Sequence, residues 1–125
     1  VVLLIASILS PKQVKDFTEL ARSLQLEVLL ELHDETELNH VCDDVHMVGI
    51  NNRNLKTFEV DIEQSIRMAE KLGNDFVKVA ESGISSVETL KHFKYNRFQG
   101  FLIGENFMKA DNPSQAFEQF VKESK

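Results

Sequence analysis

An α/β fold of about five parallel strand–helix units is predicted for this 125-residue chain by two observations. Short apolar runs alternate with amphipathic stretches that open on helix-capping residues, and no two apolar runs are joined by a hairpin turn. Strands joined by helices pair in parallel through right-handed crossovers. At 42% hydrophobic residues, one domain spanning residues 1–125 has enough apolar side chains for a core, and the length is too short for two.

The first run, Val1 to Leu9, is broken only by Ala6 and Ser7 and reads as a strand buried on both faces. Ser10-Pro11-Lys12-Gln13 then forms a capping box, and Val14, Phe17, Leu20, Ala21 and Leu24 give the following helix an apolar stripe. Leu26 to Leu32 is the second strand; it carries Glu31 between two leucines and ends on His33. Asp34 with Glu37 predicts a capped helix through Leu38, Val41 and Cys42.

The third strand, Val45 to Ile50, stops at Asn51-Asn52-Arg53, and Asp61 starts a helix that buries Ile62, Ile66, Ala69 and Leu72 before Gly73 ends it. Phe76 to Ala80 is the fourth strand, closing on Glu81-Ser82-Gly83, with Ser85 and Glu88 capping the helix of Val87, Leu90 and Phe93. Phe101 to Ile103 is the fifth, ending at Gly104-Glu105. Asn112-Pro113 opens a last helix with Ala116, Phe117, Phe120 and Val121 on its apolar face.

This pattern fits either an open doubly wound sheet or part of a (β/α)₈ barrel, whose full length is about 250 residues. The chain begins at Val1-Val2-Leu3-Leu4-Ile5, inside a strand-like run and without an initiator Met, which reads as a piece of a longer protein. A net charge of −6 with no basic run gives nucleic acid no counterion-release attraction. No apolar run reaches the roughly 18–20 residues needed to span a bilayer, and the apolar start lacks a basic flank. The single Cys42 cannot form an internal disulfide, so a reduced, cytoplasmic setting is expected.

In both architectures ligands gather at the carboxyl ends of the strands, which here offer Ser7, Glu31, His33, Asn51, Arg53, Glu81, Ser82, Gly83, Gly104 and Glu105. A carboxylate buried like Glu31 has a raised pKa suited to acid–base work, or else is paired with Arg53 or an outside lysine. Glu81-Ser82-Gly83-Ile84 before a capped helix suits an anion, and Gly104 supplies a second small-residue turn on the next strand; each glycine alone reads as a tight turn. Asn51 and Arg53 either bind a substrate hydroxyl or carboxylate, or form a polar turn in which Asn52 takes the strained conformation and Arg53 faces water. His33, His40 and His46 lack metal spacing, and no glycine-rich nucleotide motif is present. No metal and no nucleotide cofactor are expected.

Four stretches, Leu29-Leu30-Glu31-Leu32-His33-Asp34, Gly49-Ile50-Asn51-Asn52-Arg53-Asn54-Leu55-Lys56-Thr57-Phe58, Ala80-Glu81-Ser82-Gly83-Ile84 and Leu102-Ile103-Gly104-Glu105-Asn106-Phe107-Met108, resemble the carboxyl-terminal part of indole-3-glycerol phosphate synthase. The resemblance implies barrel strands 4 to 8 and a cofactor-free ring closure of a carboxyphenylamino-deoxyribulose phosphate with loss of carbon dioxide and water. It implies that Glu31 is the acid–base carboxylate, that Asn51 holds the substrate, and that Glu81 and Ser82 act as a substrate and active-site pair. Arg53 would lie at the substrate, and Gly83, Gly104 and Glu105 would fall where backbone groups hold its phosphate. The family's catalytic lysines and another glutamate come from strands 1 to 3. This chain would therefore be inactive alone, would need the amino-terminal half of the barrel as partner, and would self-associate through its exposed edges. The alternatives are another phosphate-sugar barrel, such as a phosphoribosyl isomerase, and a non-catalytic receiver-like or phosphate-binding module with a complete open sheet.

Overall fold

The computed structural model describes residues 1–125. Five strands, β1 (Val2–Ile5), β2 (Val28–Leu32), β3 (Met47–Asn51), β4 (Val77–Glu81) and β5 (Gly100–Leu102), form one sheet whose spatial order is the chain order. Every neighbouring pair is parallel. A doubly wound sheet reverses its strand order at a switch point. This one never reverses, so it winds in a single sense, as a barrel wall does.

The pleat divides the side chains accordingly. Val28, Leu30, Leu32, Val48, Ile50 and Ala80 point to one face and pack with Val14, Ala21, Ile66, Ala69, Leu90 and Phe93 of the helices in one hydrophobic core. The opposite face carries Glu31, Gly49 and Val79 side by side, with Asn51 beside Glu81 one step nearer the strand ends.

The helices α1 (Pro11–Ser23), α2 (Ile62–Lys71), α3 (Val87–Tyr95) and α5 (Pro113–Ser124) each begin on a capped residue. Ser10 and Gln13 form the full capping box, Asp61 accepts from the Gln64 amide at 3.0 Å and Asn112 from the Gln115 amide at 3.1 Å. Gly73 ends α2 with φ +71°, the left-handed conformation expected of it.

Several expectations shift. The first apolar run is not one strand: Ala6–Ile8 turn into a 3₁₀ helix after β1. The segment after His33 is a 3₁₀ helix over Glu35–His40 that ends before Cys42, because Asp34 caps Thr36 while the Glu37 carboxylate turns back to the His33 amide at 2.6 Å. The cap of α3 is Ser86, not Ser85. A short helix, α4 (Glu105–Met108), follows β5 directly. On α1 the buried face is Val14, Thr18 and Ala21, leaving Phe17, Leu20 and Leu24 exposed, and on α5 Phe117 and Val121 are exposed. These two helices flank the edge strands β1 and β5, where no further unit covers them.

The ends of β3 and β4 are latched. The Asn52 amide donates to the Glu81 carbonyl at 2.8 Å, and its buried side chain donates to the Ser82 carbonyl at 2.7 Å. Asn52→Ala leaves that carbonyl unpaired and is expected to cost about 1–3 kcal/mol of stability. Urea unfolding checks this; an unchanged midpoint would mean the latch carries no weight.

Candidate functional site

Glu31, Asn51, Arg53, Glu81, Ser82, Gly83, Gly104 and Glu105 all line one open cleft of about 880 Å³ at the carboxyl ends of β2 to β5. Glu31 is the penultimate residue of β2, Asn51 and Glu81 end β3 and β4, and the others follow in the turns or, for Glu105, at the start of α4, so the parallel register brings them together. Ser7 lies in the 3₁₀ turn after β1, exposed and outside the cleft.

Glu31 is buried, and its partners are neither Arg53 nor a lysine. Its Oε1 accepts from Asn51 Nδ2 at 3.2 Å and lies 2.8 Å from His33 Nε2. His33, half-buried, stands between two carboxylates, with Nδ1 3.7 Å from Glu37 Oε2. Asn51 in turn accepts the Arg53 amide at 3.0 Å, so one side chain fixes both the Glu31 carboxylate and the loop that follows.

Glu81 is buried as deeply, with Oε1 lacking any donor. Burial, and then the adjacent Glu31 charge, push its carboxyl up to about 8. Near neutrality this group holds a proton, as a general acid must.

Beyond Glu81 the chain takes two consecutive left-handed residues, Ser82 at φ +64° and Gly83 at φ +69°. Strain therefore falls on Ser82, and Asn52 adopts no left-handed conformation. Gly83 has a second reason to be glycine, since a Cβ there would lie 2.5 Å from Val60 Cγ1. Gly104 has neither a positive φ nor a neighbour within 4 Å of an added Cβ. Nothing within the fold demands a glycine at this position. Its bare backbone faces the cleft.

Arg53 reaches across the mouth to Glu105 at 2.9 Å and holds that carboxylate below its usual range. Both partners are solvent-accessible, so water screens the pair and an incoming anion can separate it readily. Lys109 and Asn106 also line the wall. The sequence signal for Lys109, a cation one helical turn after Glu105, became readable only once α4 was in place. No group of three or more His, Cys, Asp or Glu side chains is arranged to hold a metal ion. No helix is long and apolar enough to cross a membrane.

The family model for indole-3-glycerol phosphate synthase matches residues 1–120. Among curated relatives, the indole-3-glycerol phosphate synthase of Bacteroides thetaiotaomicron is 47% identical over 121 residues, covering 97% of this chain and 46% of the relative. The synthase of Koribacter versatilis is 40% identical, covering 96% and 46%. The chain thus spans about half the length of the curated relatives it matches. Among solved structures, a chain of the tryptophan synthase α2β2 complex from Pyrococcus furiosus superposes with TM-score 0.70 at 14% identity over 99% of this chain and 55% of that one. KGPDC from Streptococcus mutans gives 0.68 at 20% identity, over 98% and 58%. These two likenesses concern the fold, a (β/α)₈ barrel wall.

The raised carboxyl of Glu81 sets a pH dependence. The unfolded chain releases this proton near 4.5 and the folded chain near 8, so the stability it confers is complete below 4.5 and is lost as pH rises through about 8. Thermal midpoints are expected to fall across that window and to flatten in Glu81→Gln; an equally steep fall in the variant would refute the assignment.

Proposed function

The chain belongs to the indole-3-glycerol phosphate synthase family, a family of decarboxylating lyases, and on that premise we propose that it is the carboxyl-terminal wall of such an enzyme's barrel. The reaction is ring closure of 1-(2-carboxyphenylamino)-1-deoxyribulose 5-phosphate to an indole, releasing carbon dioxide and water. The observation that carries this reading is the convergence of Glu31, Asn51, Glu81 and Ser82 with the Gly83 and Gly104 turns on one cleft.

Each group has a task that its surroundings suit. Glu31 is the acid–base carboxylate, oriented by Asn51 and His33. Loss of water requires a proton at the departing hydroxyl, and a carboxyl that stays protonated near neutrality, as Glu81 does, is matched to holding and protonating the sugar chain beside Ser82. The phosphate sits against the backbone of Gly83, Gly104 and Glu105, where small residues allow close approach. Arg53 exchanges Glu105 for a substrate anion. No cofactor is needed, because elimination and decarboxylation here are proton chemistry.

The remaining acid–base groups, and the strands that would cover β1 and β5, belong to the strand–helix units of the other half of the barrel. Exposed Leu3, Phe17, Leu20 and Leu24 at one edge, and Leu102, Met108, Phe117 and Val121 at the other, are the surfaces those units would bury. A barrel wall without its complement associates with itself through the same surfaces.

The chain alone is expected to show no turnover, and its co-assembly with the preceding half of a family barrel to generate indole fluorescence. Glu31→Gln in that assembly should lower the rate about 10²- to 10⁴-fold. An assembled barrel that stays silent on the carboxyphenylamino substrate, or a Glu31→Gln variant of full activity, would refute the reading. Sedimentation velocity of the isolated chain should show self-association rising with concentration; a monomer throughout would count against the exposed edges being adhesive.

A further inference from the structure

Gly49 stands on the inward face of β3, level with Glu31 on one side and Val79 on the other. Its φ lies outside the left-handed region, so the backbone does not require glycine. The space around it does. A Cβ at this position would collide with Glu81 Oε1, approach Glu81 Cδ to 2.8 Å and meet Leu29 Cδ1 at 3.2 Å. Leu29 ends in a flexible methyl and can give way; the Glu81 carboxyl, also the end of a side chain, can make room only by swinging off β3 into the cleft, away from Glu31.

Glu31 and Glu81 sit on β2 and β4, with β3 between them, so their backbones are roughly 10 Å apart. Any side chain on the inward face of β3 at this level would stand between them. We propose that Gly49 is a positioning residue: its missing side chain is the notch through which the Glu81 carboxyl reaches across β3 toward the Glu31 carboxyl.

The surrounding charges assign the proton within that pair. From β2 and the 3₁₀ helix after it come His33 and Glu37, with His33 at 2.8 Å from Glu31. From the loop after β3 comes Arg53, already paired with Glu105, and from beyond α4 comes Lys109 on the cleft wall. The nearest ring nitrogen, His33 Nε2, therefore faces Glu31, while Glu81 Oε1 is left without a partner. Glu81, buried and without a partner for Oε1, keeps the proton. One acid and one base are thus held side by side by a residue that touches no substrate. The use of that pair in catalysis rests on the ring-closure reading; the pairing itself does not.

Carbon-detected NMR of glutamate side-chain carboxyls, on the full chain with labelled glutamate, tests this directly. In the native chain the pair should titrate in two coupled steps, the upper one near 8. Gly49→Ala should lower the upper step by more than about one pH unit, and Glu31→Gln should do the same in a chain whose notch is intact. A folded Gly49→Ala chain with the upper step unmoved overturns the proposal. If Gly49→Ala does not fold, Gly49→Ala combined with Glu81→Ala decides: restored folding supports the notch, because the group that needed the space is gone, and continued failure overturns it. An assembled barrel without turnover but with the paired titration intact would sink the reaction and leave the pair standing.

Discussion

Two carboxyl groups buried next to each other impose the dominant constraint on this molecule. A buried carboxylate loses its hydration, and two of them cannot both stay charged at contact distance without strong cost. The surroundings meet the constraint by dividing roles. Glu31 receives a histidine and an amide, while Glu81 receives neither and stays neutral. The latch of Asn52 onto the end of β4 follows from the same need, since a carboxyl at a strand terminus stays buried only if the terminus does not fray.

That local arrangement depends on the sheet being parallel and in register. Because Asn51 pairs with Glu81, and Glu31 with Gly49, one row of residues across β2, β3 and β4 holds an acid, a gap and an apolar neighbour, and the next row holds an amide beside the second acid. A slip of one residue in any strand would send its inward set to the helix side. The hydrophobic core of Leu30, Val48 and Ala80 on that other side forbids it. Packing on one face thereby fixes chemistry on the other.

Much of this was legible in the sequence. Apolar runs with alternating helix caps identified all five strands, and the polar residue closing each run marked the cleft, because chain direction in a parallel sheet puts all such residues at one end. Three kinds of feature were not legible. The 3₁₀ helix at Glu35–His40 replaced an expected α-helix because Glu37 serves the His33 amide, a competition among side chains that periodicity does not encode. The exposed faces of α1 and α5 carry the same apolar spacing as buried ones; which stripe is covered depends on neighbours that spacing does not name. Nothing local to the third apolar run marks Gly49, since its surroundings are set by Glu81, an acid more than a full strand–helix unit later in the chain.

The strand order has one more implication, for how the molecule is made. When spatial order equals chain order, each strand finds its partner in the unit synthesised just before it, and loops close over short stretches of chain. Such a sheet grows by accretion, each unit templating the next, in the manner of a solenoid. The acid pair is the exception, since its members arrive with a whole strand between them. The cleft therefore becomes chemically complete only after the scaffold beneath it has formed, and a ribosome extending this chain exports structure well before it exports reactivity.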